Sequence, residues 1–143
     1  MVTDGKGTPL AVEVTAGQVH ESTRVESVVS QAIARRIGRR RRKPRKLAGD
    51  KAYSIPRVRD WIEARGIIPV IPHKDNELAR WDRHRKFDRR TYRGRAVVEQ
   101  CVGWMKESRR IGTRFEKLAV NFHGMLQLGM IRRYLKILFS DRA

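Results

Sequence analysis

Between Leu47 and Pro72 the chain reads strand, helix, strand, and this pattern restricts the fold more than any other stretch. Leu47-Ala48-Gly49-Asp50 is a short buried-strand candidate that ends in a carboxylate. Pro56 then sits near the first turn of a helix, where its fixed φ and missing N–H are tolerated, and Ser54 is a possible cap. The helix runs through Val58, Trp61 and Ile62 to Gly66. Ile67 to Ile71 follow as an apolar run rich in β-branched residues, closed by Pro72. Two strands joined by a helix over that length pair in parallel through a right-handed crossover, which places the chain in the α/β class.

The flanking segments fit that class. Met1 to Thr3 read as a strand remnant, Asp4-Gly5-Lys6-Gly7 as a turn, and Pro9 to Thr15 as the second strand of a hairpin. The first strand has almost no length before its turn, so further residues are expected upstream. Ser22 to Ile37 carry Val25, Val28, Val29, Ala32, Ile33 and Arg36 at helical spacing, with Gly38 as a stop. His73 to Arg90 is polar and basic and reads as a long loop. A long helix is expected over about Asp88 to Arg110, then a break at Gly112-Thr113 and an apolar helix over about Leu118 to Phe139. With 143 residues, 40% of them apolar, one domain with a real core is the expectation.

Charge points to the partner. Lys and Arg number 33 against 15 Asp and Glu, a formal net charge of +18. A field of that sign draws polyanions, which makes nucleic acid the leading partner. Nine of the twelve residues from Arg35 to Lys46 are Arg or Lys. Such a block is a solvated loop or a nucleic-acid patch, and we favour a patch built on Arg39, Arg40, Arg41 and Arg42. The lone Cys101 excludes an internal disulfide and any zinc site made of several cysteines, and a reducing cytoplasm fits. The uncharged run from Leu118 to Ile131 has only 14 residues, too few to span a bilayer, and no signal-peptide pattern opens the chain. A non-membrane, cytoplasmic protein is expected. Gly5-Lys6-Gly7 lacks the spacing of a P-loop, and neither HExxH nor a Gly-x-Ser-x-Gly elbow occurs.

Two carboxylates stand out. At roughly 100° per residue from Tyr92, Arg95, Glu99 and Lys106 fall within about 60° of it on the expected long helix. Val98, Cys101 and Met105 fall on the opposite side. One face packs, and the other presents an aromatic hydroxyl, two cations and a carboxylate. Periodicity alone leaves two readings open, a functional line or an ordinary solvated face with an Arg95–Glu99 pair at i, i+4. Asp50 is open in the same way. The C-terminal end of a parallel strand is where open α/β sheets bind ligands, yet capping and turn aspartates are as common. Together Asp50 and Glu99 would suit Mg²⁺, which prefers hard oxygen ligands, and two such ions serve in-line phosphoryl transfer.

The spacing Tyr92-x2-Arg95-x3-Glu99-x6-Lys106 resembles the Y-R-E-K signature of bacterial insertion-sequence transposases with a DDE catalytic domain. Asp4-Gly5-Lys6-Gly7-Thr8-Pro9-Leu10, Thr15-Ala16-Gly17 and His20-Glu21-Ser22 look like that family's second and third strands. Gly49-Asp50-Lys51-Ala52-Tyr53 looks like its second-aspartate motif. Val97-Val98-Glu99-Gln100-Cys101 and Arg109-Arg110-Ile111-Gly112-Thr113-Arg114 look like its glutamate helix and exit. The resemblance covers nearly the whole chain.

The resemblance implies an RNase H-like mixed sheet flanked by helices, and DNA cleavage and joining with Mg²⁺ or Mn²⁺. By matched position, Asp50 and Glu99 are metal-binding catalytic residues that approach each other. Tyr92, Arg95 and Lys106 contact DNA phosphates near the transposon end, where Arg can grip in a bidentate way and Lys serves as a point charge. The family's first aspartate lies on a strand upstream of the hairpin, so residues 1–143 are expected to form the C-terminal part of the catalytic domain without its first strand. A split frame or a decayed copy would both give such a chain. Asp4 falls in the family's turn and is expected to be a turn residue. His20-Glu21 stands where the family has His-Asp. The expected partners are double-stranded DNA (transposon ends and target), the upstream transposase segment and a second copy. The alternative is a non-enzymatic basic nucleic-acid binder, whose charge alone explains its partner. Trp81 is either a base-stacking residue or a loop anchor. His73 and His84 read as surface residues, and Trp61 and Cys101 as core.

Overall fold

The computed structural model describes residues 1–33, 43–74 and 87–140. In chain order its elements are β1 (Val2–Thr3), β2 (Pro9–Ala11), a 3-10 turn (Glu21–Arg24) that runs into α1 (Val25–Ile33), β3 (Lys46–Ala48), a second 3-10 turn (Lys51–Tyr53), α2 (Pro56–Glu63), β4 (Ile68–Val70), α3 (Arg89–Arg93), α4 (Ala96–Lys106), α5 (Arg109–Gly112) and α6 (Ala119–Ser140). Among the described residues this is a mixed α/β fold. It has one antiparallel pair, β1–β2, one parallel pair, β3–β4, and flanking helices. Contacts group the chain into two compact units, His20–Arg95 and Met1–Val19 with Ala96–Ala143.

The unit His20–Arg95 is built on the strand-helix-strand pattern. β3 and β4 pair in parallel with Lys46 opposite Ile68, Leu47 opposite Pro69 and Ala48 opposite Val70. Pro69 has no N–H for a ladder, which a sheet of two strands tolerates. α2 turns Val58 and Ile62 inward until both are fully buried, beside Ile67, Val70 and Ile71. Each such side chain stabilises the fold by roughly 1.5–3 kcal/mol. α1 adds Val25, Val29 and Ala32, the three-and-four spacing expected of a helix with one buried face.

Ser54 is not the cap of α2. The helix starts behind Ile55 with no side-chain cap, and Pro56 stands at its start, where its missing N–H costs no helical bond. Ser54 is instead buried and accepts from Arg59 Nη2 at 3.1 Å. The same Nη2 donates to the carbonyls of Ile71 at 2.8 Å and Pro72 at 3.3 Å, so a buried guanidinium ties α2 to the exit of β4. Trp61, expected in the core, is only part-buried, with the Arg65 guanidinium 3.7 Å over its ring.

In the other unit the opening hairpin forms as expected. Asp4 Oδ1 accepts the N–H groups of Lys6 at 2.8 Å and Thr8 at 2.9 Å, which makes Asp4 a turn residue. Gly7 closes the turn at φ +78°, a conformation that favours glycine. β2 ends at Ala11 rather than Thr15, because the next carbonyl, of Val12, meets His123 Nε2 at 3.1 Å instead of a strand partner. Val12 packs with Met105, Ile111 and Leu126 in the core of this unit. A Cβ on Gly129 would lie 3.1 Å from both Ile111 Cδ1 and Met105 Cε, so α6 approaches the core closely there. Tyr134 donates its hydroxyl to the Pro9 carbonyl at 2.6 Å.

The helix expected over about Asp88 to Arg110 is three helices, α3, α4 and α5. Gly94 caps α3, and a Cβ there would stand 3.2 Å from the Thr91 carbonyl oxygen, a crowding that glycine avoids. Ser108 then opens α5. The final helix matches its expected bounds closely. The expected helix end at Arg36 to Gly38, the block Arg39 to Arg42, Trp81 and His84 lie outside the described residues.

Candidate active site

Asp50 stands just beyond β3. The Gly49 N–H still donates to the Val70 carbonyl at 3.2 Å, so Asp50 follows the last ladder bond of a parallel strand. A Cβ on Gly49 would meet Ile71 Cγ1 at 3.2 Å and Tyr53 Cδ2 at 3.4 Å, which explains the small residue before the carboxylate. Asp50 Oδ1 accepts the Lys51 N–H at 2.5 Å and caps the second 3-10 turn. Asp50 is thus a capping aspartate, and the cap uses Oδ1 and leaves Oδ2 facing Arg95 Nη1 at 3.8 Å.

That turn is held from the other side by Tyr53, whose hydroxyl donates to Glu21 Oε2 at 2.8 Å. Burial, the Glu21 hydrogen bond and the Glu21 and Asp50 charges all push the Tyr53 hydroxyl above its ordinary range, so it stays a donor. Glu21, read from sequence only as a departure from a family motif, thus anchors the turn that carries Asp50.

α3 brings two further residues to the same place. Asp88 caps it, accepting the Thr91 N–H at 2.9 Å and the Thr91 hydroxyl at 2.7 Å, and pairs with Lys46 Nζ of β3 at 2.5 Å. The Lys46 hydrogen bond first, then the two from Thr91, hold the Asp88 carboxyl well below the usual range. Sequence reasoning assigned no role to Lys46 or Asp88. The readable signal was an Asp three residues before Thr at a helix start, a capping spacing. With α3 tied to β3, Tyr92 packs on Phe87 at 5.3 Å between ring centres, and the Arg95 guanidinium lies 5.6 Å from the Tyr92 ring.

Glu99 and Lys106 lie on α4, in the first and last turns, and both are exposed. The opposite side of α4 buries Cys101 and Met105, as the periodicity requires. Burial pushes the Cys101 thiol up, with Asp4 adding to the shift, so it is a core residue with little thiolate character. The structure thus gathers Asp50, Tyr92 and Arg95 in one unit and carries Glu99 and Lys106 in the other. No group of three His, Cys, Asp or Glu side chains able to hold a metal occurs among the described residues. No helix among them is long and apolar enough to cross a membrane.

Residues 1–132 match the family described as the transposase DDE domain. The chain belongs to the DDE transposase family. It is also 33% identical over 138 residues to a Burkholderia cepacia protein named as a transposase for insertion sequence element IS402. That alignment covers 90% of this chain and 58% of the relative, so the chain spans little more than half of that protein's length. No solved structure matches it.

For a DDE transposase the donor chemistry at Asp50 fits one ligand of a divalent cation. It offers a carboxylate oxygen at a strand end, about half exposed, with a guanidinium as its present counter-charge. Mg²⁺ takes hard oxygen ligands and keeps several waters, which is the donor type that Asp50 offers.

Proposed function

We propose that this chain carries two of the catalytic carboxylates of a DDE transposase and acts in metal-dependent cleavage and joining of DNA at insertion-sequence ends. The observation that supports this reading best is the position of Asp50 at the C-terminal end of a parallel strand, with Arg95 held beside it and the Tyr92 ring 5.6 Å from that guanidinium. Asp50 and Glu99 would hold Mg²⁺ or Mn²⁺, which supplies stabilisation of the attacking and leaving oxygens in phosphoryl transfer. Arg95 and Lys106 bind phosphate, Arg95 through its planar fork and Lys106 as a point charge. The Tyr92 ring orients Arg95, and its hydroxyl is a further phosphate donor. Arg39, Arg40, Arg41 and Arg42 add sequence-independent attraction for the duplex.

The fold we propose for the catalytic domain is RNase H-like. An antiparallel hairpin and a parallel strand-helix-strand pair are components that such a mixed sheet uses. Residues 1–143 would form the C-terminal part of that domain.

The test is cleavage of a labelled transposon-end duplex with Mg²⁺ or Mn²⁺. The 143-residue polypeptide should bind DNA with an affinity that falls steeply with salt, because each neutralised phosphate releases counterions, and should not cut. Replacing Arg39 to Arg42 with alanine should flatten that salt dependence. Adding a segment with the family's first aspartate should give strand transfer, and Glu99→Gln should abolish it. Cutting by the isolated chain that is lost on Asp4→Asn would overturn the assignment. DNA binding with no activity under any reconstitution would favour the plain nucleic-acid binder.

A further inference from the structure

A tight reversal follows α5 and leads into α6. The Phe115 N–H donates to the Arg110 carbonyl at 3.0 Å, and the Arg114 N–H to the Ile111 carbonyl at 3.1 Å. That pair of bonds is the Schellman arrangement, which turns on a residue in the left-handed region. Glycine usually fills the position, because it has no Cβ to crowd. Here Arg114 fills it at φ 47°, and it is the one non-glycine residue with a positive φ among the described residues. Such strain concentrates where a side chain has a task besides packing.

The turn departs from its usual form a second time. The motif normally closes with an apolar contact between the two positions held here by Phe115 and Arg110. In this chain the contact is a guanidinium 5.1 Å from the ring centre. Glu116 pairs with Arg110 and fixes it there. The Phe115 ring stays 64% exposed. It is held by the backbone bonds of the turn and by a cation, so it is a rigid aromatic surface in water. Arg109, Arg114 and Lys117 are exposed around it, and residues 109–117 carry four cations against one carboxylate. The turn is also fixed to the helix that bears Glu99 and Lys106. A Cβ on Gly112 would stand 2.5 Å from the Lys106 carbonyl oxygen, so glycine lets the turn lie against the end of α4.

We propose that Phe115 is a stacking platform for an unpaired base of DNA, with Arg109, Arg114 and Lys117 on the phosphates beside it. A protruding ring needs a π-face to cover it. Bases inside a duplex are covered on both faces by their neighbours, whereas an unpaired base has a face to offer. The cations need an anion within reach of the same ring, and a nucleotide carries both in one unit. An apolar protein groove would cover Phe115 only by stripping water from the cations around it, which is costly. The proposal rests on the reading that DNA is the partner and adds the state of the strand. The site takes frayed or single-stranded DNA in preference to closed duplex, whether or not the chain cuts it.

Fluorescence anisotropy of the 143-residue chain with three labelled DNAs tests this. They are a blunt duplex, the same duplex with a short single-stranded overhang, and that overhang made abasic. The overhang should bind more tightly than the blunt duplex by roughly fivefold or more. Phe115→Ala should erase that preference and leave blunt-duplex affinity unchanged, while Phe115→Tyr keeps it. The abasic overhang should lose the preference with the parent chain and lose nothing further with Phe115→Ala. Phe115 is exposed, so circular dichroism of its variants should match the parent. Arg114→Gly relieves the left-handed strain, so its melting temperature should hold or rise while both duplexes bind more weakly. Equal affinity for blunt and overhang DNA would overturn the proposal. So would a preference that survives Phe115→Ala, unchanged DNA affinity in Arg114→Gly, or tighter binding of an RNA overhang than of the DNA one. Failure to bind any DNA would overturn both this proposal and the reading beneath it. Overhang binding that depends on Phe115, with no cleavage under any reconstitution, would support this proposal and count against the catalytic reading alone.

Discussion

Arg95 holds its guanidinium 3.8 Å from the Asp50 carboxylate while the same group lies 5.6 Å from the centre of the Tyr92 ring. A cation thus already stands where a metal would compete. Removing it acts in opposite directions on two ligands. Arg95→Gln leaves Asp50 without its counter-charge and should tighten Mn²⁺ binding a few-fold, read by calorimetry or electron paramagnetic resonance. It also removes a phosphate contact, so the slope of log K for DNA against log salt should fall by about one. Weaker Mn²⁺ binding would contradict the competition at Asp50, and an unchanged salt slope would contradict the assignment of Arg95 to phosphate.

Asp88 makes stability depend on acid. Its carboxyl is held well below its ordinary 3.8, so the Lys46 pair and the α3 cap are fully present above that value and are lost as pH falls below it. The melting temperature should drop as pH falls from about 5 to about 2, and Asp88→Asn should be less stable at neutral pH and flatter across that range. An unchanged pH profile in Asp88→Asn would remove Asp88 as the anchor of α3.

Arg59 is a buried cation whose Nη2 serves Ser54, Ile71 and Pro72. Arg59→Met keeps most of the volume but leaves those acceptors without their donor. Leaving buried polar groups unsatisfied should cost about 2–4 kcal/mol, measured by urea unfolding. A loss below about 0.5 kcal/mol would mean that water replaces the guanidinium.

Tyr53→Phe keeps the ring against Gly49 and deletes the bond to Glu21. The net loss should be about 0.5–1.5 kcal/mol. Hydrogen exchange at the Lys51 and Tyr53 amides should quicken, because the turn capped by Asp50 loses its tether. Glu21→Gln retains an acceptor and should do less on both measures.

Local sequence carried much of this fold. The strand-helix-strand unit was readable because its signals are local, with Pro56 at a helix start, β-branched residues in a strand and Pro72 after it. The turn role of Asp4 and the buried side of α4 followed from equally local rules. The break at Gly94 was not read, because the spacing from Tyr92 to Lys106 continues across it. Lys46–Asp88 and Glu21–Tyr53 were beyond reach, since they join residues 42 and 32 positions apart that no periodicity links. Asp50 and Glu99 came from a motif resemblance, and packing adds to Asp50 the neighbour Arg95.

The unit that begins with the hairpin is discontinuous in the chain. Its ties include Tyr134 to Pro9 and His123 to Val12, spans of 125 and 111 residues. During synthesis at about 5–20 residues per second, the hairpin leaves the ribosome long before α6 exists to cover it. His20–Arg95 is continuous and has its partners in hand much sooner. Ribosome-bound nascent chains should therefore show an order of assembly in which the strand-helix-strand unit matures first and the N-terminal residues wait, chaperone-accessible, for the last helix to be translated.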